Sequence, residues 1–390
     1  MDSTSIVTSF FVIFSGAAIL ATVALYTRQP LILAYIAIGG IAGRHGYNWI
    51  TDGKLLAEIA EIGIIFLLFL LGLDMQPKAL ARMLRKASVV AIVSTLVFAS
   101  LGFVVSKTFG FDDKEALVIG GALVFSSTII GLKLLPTTVL HHRHVGELVV
   151  GLLLLQDLIA IIVLLLIAGY RTQASPEWAQ LLLTLGLLPV LVGAAFLAVR
   201  YVLLPLLMRF DRFHEYIFLI AIGWCLGIAE IAETIGLSLE IGAFVAGVSL
   251  ASAPIAQYMA DHLRPLRDFF LVLFFFSLGA GFDWSLLPDV WLVSLVLAVL
   301  VLVVKPVVFR VLLALIQEPP RTGWEIGFRL GQTSEFSLLI AFLAASTALI
   351  GNEASLVIQA TAIMTFIANT YVVILNYPSP IAVKDRLRRD

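Results

Sequence analysis

Asp157 lies in the run GLLLLQDLIAIIVLLL, where the only other polar side chain is that of its neighbour Gln156. A carboxylate placed so deep in an apolar segment costs several kcal/mol unless it has a function or a partner. Loss of water disfavours the charged form of such a group, and a bound cation restores it. Asp157 can therefore hold a proton or a cation but not both, which is the minimum chemistry for exchanging one for the other. The competing account is a structural aspartate hydrogen-bonded to a neighbouring helix, and the depth of the residue favours the functional one.

Two further apolar segments are interrupted by polar residues at mid-length. ALVFSSTIIGL carries Ser126, Ser127 and Thr128, and RLGQTSEFSLLI carries Gly331, Gln332, Thr333, Ser334 and Glu335. Both look like broken helices, which would expose backbone carbonyls as cation ligands and bring half-helix dipole ends to a charge. Interhelical hydrogen bonding is the plainer use of such Ser and Thr runs. Arg329, on the segment of Glu335, is placed near the cytoplasmic end as a snorkelling residue or a salt-bridge partner. Lys305, in VLVVKPVVF, is the one lysine buried mid-span, and the following proline weakens the local hydrogen-bond ladder. It either pairs with a site carboxylate in one state or holds helices together.

Other chemistry-bearing residues read more plainly. Glu230, Glu233 and Glu240 cluster at a short turn as an outward-facing rim, with Glu240 partly buried. HHRH at 141–144 is a solvated charge patch in a loop. FFLVLFFF, from Phe269 to Phe276, reads as lipid-facing or dimer-facing packing, and Cys225 as a core filler without a disulfide partner. No phosphate-binding glycine loop, nucleophile elbow or Cys/His metal spacing occurs, so ATP-driven pumping is excluded and neither an enzyme nor a resident cofactor is expected.

The elements that must position these residues follow from composition. Of 390 residues, 61% are apolar and 13% charged, which makes lipid rather than water the main solvent. A net charge of −1 excludes a nucleic-acid surface. Apolar runs of bilayer length predict thirteen transmembrane helices, at 5–26, 30–43, 57–74, 87–107, 115–135, 146–169, 179–206, 214–234, 237–252, 266–282, 290–315, 324–349 and 354–376. No basic region precedes the first run, so it is expected to be a retained helix rather than a cleaved signal. With the C-terminus cytoplasmic, the outside segments hold only Arg44, Lys54, Lys107, Lys114 and Arg171, while the inside ones take most of the remaining lysines and arginines. The N-terminus is therefore expected outside, in a multi-pass cell (inner) membrane protein.

A faint internal repeat is visible. YIAIGGIAG at 35–43 falls opposite AFVAGVSLA at 243–251, superposing Gly39 on Gly247; GLD falls opposite GFD, superposing Asp74 on Asp283; FSST falls opposite TSEF, superposing Ser126 on Ser334. Seven helices separate equivalent elements, so the second copy enters from the opposite face. Residues 1–170 form the first repeat, 179–206 a linker helix, 214–376 the inverted second repeat and 377–390 a basic cytoplasmic tail.

The ordered motifs FLLGLDM, FSST, QDLIAI, GAFVAGVSLA and GQTSEFSLLI give the chain a resemblance to the membrane domain of Kef-type potassium/proton antiporters, within the wider cation:proton antiporter superfamily. The resemblance implies an all-α elevator-type fold in which the fifth and twelfth helices are broken and cross, and a homodimer in the bilayer. It implies that Asp157 carries the exchanged monovalent cation, K+ or Na+, and that Gln156 stands where sodium-selective relatives have Asn or Asp, which points towards potassium. Lys305 followed by proline matches the lysine that pairs, in electrogenic relatives, with an acidic residue of the sixth helix, a residue that is glutamine here. Kef-type proteins usually continue into a nucleotide-binding regulatory domain gated by glutathione. This sequence stops at Asp390, and its YMADHLRPLRDFF segment carries Arg264 and Arg267 where glutathione-gated members are acidic. The expected site residues are thus Asp157, Gln156, Ser126, Ser127 and Thr128, supported by Lys305, Glu335, Gln332, Thr333, Ser334 and Arg329. The alternatives are a Na+/H+ antiporter of the same superfamily, a channel-like K+ efflux system using the broken helices as a pore, and a transport-inactive sensor.

Overall fold

Runs such as IVTSFFVIFSGAAILATVALY are apolar around the whole helix, a pattern stable only inside a protein or a bilayer. Large apolar side chains also stand exposed along the outside, among them Phe11, Leu166, Leu197 and Val303, a surface suited to lipid. In a computed structural model, which describes residues 6–50, 53–74, 77–135, 144–170, 178–210, 213–251, 253, 256–382 and 387–388, these runs fold into sixteen α-helices. They are α1 Ile6–Tyr26, α2 Leu31–Ala42, α3 Gly53–Asp74, α4 Pro77–Thr108, α5 Asp113–Ala122, α6 Thr128–Lys133, α7 His144–Tyr170, α8 Trp178–Ala198, α9 Leu204–Arg209, α10 His214–Thr234, α11 Leu239–Ala251, α12 Ala256–Ala280, α13 Leu287–Leu315, α14 Pro320–Arg329, α15 Glu335–Ser346 and α16 Asn352–Asn376. Seven of the described helices are long and apolar enough to cross a membrane, and four shorter apolar ones accompany them. No strand occurs among the described residues; one isolated bridge joins Ser379 to Arg388.

The helices sort into two packed groups. One is α4, α5, α7, α13, α14, α15 and α16; the other is α1, α2, α3, α10, α11 and α12. In the second group, glycines let backbones approach closely. A Cβ on Gly39 would collide with the backbone of Phe276 and Ala280, and one on Gly247 with that of Phe69 and Leu73. Gly72 meets Phe244 and Val248 in the same way, and Gly279 meets Ile36. Helix α8 continues through a π turn, Val199–Leu203, into α9, and Pro205 explains the turn because it has no N–H to complete the α-helical ladder.

Three expectations change. The second half of the Phe269–Phe276 run is interior packing rather than lipid- or dimer-facing: Phe274, Phe275 and Phe276 are at most 1% exposed, while Phe269 and Phe270 are only half-buried, and Phe274 packs edge-on against Phe342 of α15. The segment YMADHLRPLRDFF is helical, because α12 starts at Ala256 and carries Pro265 within it. Glu240 is buried, whereas Glu230 and Glu233 are exposed. Cys225 is a buried free thiol. Residues 141–143 of HHRH, and 383–386 and 389–390 of the basic tail, lie outside the described residues.

Candidate functional site

Both polar interruptions break their helices. The α-helical backbone stops at Ala122 and resumes at Thr128, and stops again at Arg329 and resumes at Glu335. The second restart is built by Ser334, whose Oγ accepts from the amide of Phe336 at 3.2 Å while its own amide donates to Ser337 Oγ at 3.2 Å, a capping box. The two breaks meet. The amide of Ser127 donates to the Thr333 carbonyl at 3.0 Å, and Ser126 Oγ donates to the Leu330 carbonyl at 2.8 Å. Across the same crossing, Ser337 Oγ donates to the Ala122 carbonyl at 2.5 Å and Thr128 Oγ1 to Glu335 Oε1 at 2.8 Å.

Lys305 sits at this crossing, fully buried. Its ammonium donates to the carbonyls of Phe125 at 2.7 Å and Gln332 at 2.9 Å, and to Ser126 Oγ at 3.3 Å. An ammonium has three protons, so these bonds use all of them. Two of its acceptors are main-chain carbonyls inside the breaks, each three residues beyond the negative C-terminal end of α5 or α14, so one side chain bridges both breaks. Of the two readings of this lysine, the geometry matches the one in which it holds helices together.

Asp157 projects from α7 beside the first break and is 4% exposed. Its Oδ1 has no hydrogen-bond partner among the described residues, and neither has Gln156 Nε2. The other end of the Gln156 amide is fixed, because its Oε1 accepts from the amide of Ser126 at 3.1 Å. Glu335 is close enough for its charge to act on Asp157. A buried acceptor and a buried donor left open on successive residues of α7, one of which bonds the unwound backbone at Ser126, suit a desolvated cation or proton far better than they suit packing alone.

Arg329 is not part of this cluster. It is 1% exposed, so it does not snorkel. Its Nη2 pairs with Glu325 at 2.9 Å, its Nη1 donates to the Leu134 carbonyl at 3.0 Å and its Nη2 to the Pro378 carbonyl at 2.8 Å. It thereby ties the segment leaving α6 to the chain leaving α16.

Sequence reading missed the contribution of α16. Thr365 Oγ1 bonds Thr333 Oγ1 at 2.9 Å and accepts from the Thr333 amide at 3.3 Å, and Asn369 Nδ2 donates to Gln332 Oε1. The available signal was the spacing of Thr361, Thr365 and Asn369, four residues apart on one face of an otherwise apolar helix. A cavity of about 120 Å³, walled by α3 and α12 on one side and α15 on the other, opens onto Thr128 and Glu335, with Arg267 and Leu271 also in its lining.

The chain is similar to the "K(+) efflux antiporter 4" of Arabidopsis thaliana, 28% identical over 347 residues, covering 87% of this chain and 58% of that protein. It is similar to the "Glutathione-regulated potassium-efflux system protein KefC" of Cronobacter sakazakii, 30% identical over 363 residues, covering 90% of this chain and 57% of that protein. The chain thus spans less than two thirds of the length of these relatives. Its fold is similar to that of the sodium proton antiporter MjNhaP1 from Methanocaldococcus jannaschii, with a TM-score of 0.67, 17% sequence identity, and coverage of 93% of this chain and 96% of that one. The sequence model described as "Sodium/hydrogen exchanger, transmembrane" matches residues 10–375, nearly the whole chain, and the protein therefore belongs to the transmembrane sodium/hydrogen exchanger family.

Proposed function

We propose that this chain is the membrane domain of a secondary active antiporter that exchanges a monovalent cation, with potassium the leading candidate, for protons at Asp157. The observation that carries the proposal is the open Oδ1 of a 4% exposed carboxylate beside two helix breaks. The names of the relatives support potassium, and the family supports proton coupling. Gln156 holds its oxygen on the Ser126 amide, so Asp157 supplies the anionic charge beside it. Thr128, Glu335 and the backbone of residues 123–127 are the groups within reach to replace the cation's water.

The clamp on Lys305 bears on stoichiometry. With all three ammonium protons committed to Phe125, Gln332 and Ser126, it has no role as the charge that alternates with the cargo. If Asp157 alone trades its proton while Glu335 keeps one charge state, exchange is one-for-one and electroneutral.

The inverted-repeat and elevator reading draws support from the glycine contacts. Adding 208 carries Ile36 to Phe244 and Gly39 to Gly247, and adding 207 carries Phe69 to Phe276, Gly72 to Gly279 and Leu73 to Ala280, so each close approach has a counterpart. The register of α3 against α12 in this reading is two residues shorter than the one that superposes Asp74 on Asp283. Reading α5 with α6, α8 with α9 and α14 with α15 as single spans supports thirteen crossings. In this account the group containing Asp157 slides against the α1–α3, α10–α12 group, which serves as scaffold and homodimer surface, with the N-terminus outside.

The test is proton movement in proteoliposomes under gradients of potassium, sodium, rubidium and lithium at several pH values. Saturable, potassium-preferring exchange that vanishes in Asp157→Asn is expected. Normal exchange by that variant would overturn the proposal, and sustained single-channel currents would replace it with the channel reading.

A further inference from the structure

The larger cavity at the seam between the two helix groups has a chemistry that ion exchange does not use. It measures about 310 Å³ and is bounded by the α1–α2 turn, α2 and α12 on one side and by α6, α16 and Ile381 on the other. Leu31, Ile32, Ile130, Leu134 and Leu271 make most of its wall apolar. Part of its polar lining is unsatisfied. Thr370 is 2% exposed and its Oγ1 has no partner among the described residues, and neither amide atom of Gln29 has one. Buried polar atoms are nearly always paired, so open ones in a cavity wall point to something that fills it.

The charges in the lining select what that is. Arg28 and Arg267 face one carboxylate, Asp268, which already bonds Arg267 Nη2 at 3.2 Å. Arg28 Nη1 donates to the Ile381 carbonyl at 3.2 Å, an uncharged acceptor. The lining is thus net positive, which disfavours a cation vestibule and favours an anion. Phosphate is an anion that guanidinium, amide and hydroxyl groups can recognise together, and the apolar wall suits a hydrocarbon portion attached to it. The volume lies at the small end of ligand pockets, roughly 300–1,000 Å³, enough for a headgroup and the start of one chain. Both arginines belong to the segments that the Lys/Arg distribution assigns to the cytoplasmic side, where the leaflet is rich in anionic lipid.

We propose that this cavity binds the phosphate headgroup and upper acyl chain of an anionic phospholipid, seated between Arg28, Gln29, Arg267 and Thr370. Because its walls come from both helix groups, an occupant bridges them. On the antiporter reading above, occupancy holds the groups together and slows exchange; binding itself does not depend on that reading.

The experiment uses the purified full chain with added phosphatidylglycerol, phosphatidylcholine or soluble glycerol phosphate, following lipid retained by native mass spectrometry and the melting temperature. Phosphatidylglycerol should be retained and should raise the melting temperature, with neither control doing so. Arg28→Gln and Thr370→Val should each weaken that response about tenfold, the effect of losing one bond to a charged or buried partner. Thr370→Val separates the proposal from simple packing, because deleting an unpaired hydroxyl should stabilise the lipid-free protein. If it does so while the phosphatidylglycerol response stays intact, the proposal fails. An equal response to glycerol phosphate would overturn the lipid, and no response to either would overturn the site. Retained lipid binding in a protein that moves no protons would count against the antiporter reading alone.

Discussion

Gly39→Ala and Gly247→Ala should behave as a matched pair. The new Cβ would overlap the carbonyl oxygen of Phe276 in the first case and of Phe69 in the second, and would stand 2.9 Å from the amide nitrogen of Ala280 and of Leu73 respectively. Carbon–oxygen contacts between neighbouring backbones run at about 3.3–3.6 Å. Each helix pair must therefore open by roughly half an ångström at the nitrogen and further at the oxygen. The obstructing atoms are backbone, so no side chain can turn aside to relieve the contact. Overpacking of this kind costs about 1–3 kcal/mol. Thermal melting of the purified protein in nanodiscs reads the cost, with Gly223→Ala as control, since a Cβ there meets nothing within 4 Å. The two seam variants should melt lower by similar amounts and the control should not. An unchanged melting temperature for either seam variant, or a loss in one alone, would refute the equivalence of the α2–α12 and α11–α3 contacts.

Arg329→Met should strand Glu325 and leave the carbonyls of Leu134 and Pro378 without their donor; breaking a buried pair costs about 3–5 kcal/mol, read as lost folded yield, and a normal yield would contradict the tie. Thr128→Val removes the 2.8 Å bond to Glu335 and should raise the cation concentration for half-maximal exchange about tenfold, the effect of losing one bond to a charged group, while Thr128→Ser should restore it. Asp283, at the helix end after α12, has its carboxyl held below the usual range by the Ser285 hydroxyl and backbone amide. Ser285→Ala should move its titration upward. A depressed folded-state value contributes stability above the unfolded one and loses it as pH falls through the folded one, so the variant should melt lower at neutral pH and match the parent in acid.

The helix breaks were legible in the sequence because Ser126–Thr128 and Gln332–Glu335 interrupt apolar runs at mid-length, where unpaired backbone is tolerated only inside protein. That the breaks meet through Ser127 and Thr333, and through Ser126 and Leu330, required the fold, since the partners lie some two hundred residues apart. Lys305 was readable as buried, but two of its three partners are main-chain carbonyls, which leave no trace in residue identity. Of the two uses read for Arg329 the salt bridge holds, to Glu325, and the snorkelling one does not: an arginine near a helix end ordinarily reaches water, and the approach of Leu134 and Pro378 makes burial tolerable. The phenylalanines at 274–276 misled because an apolar run in a membrane protein reads alike whether it faces lipid or protein.

The central claim is that one buried carboxylate holds either a proton or a cation. Proton release from the purified protein on adding potassium, measured in weakly buffered solution alongside bound potassium, tests it without transport. One proton should leave for each ion bound, and Asp157→Asn should release none. Undiminished proton release from that variant, or potassium binding without release in the parent, would contradict the account.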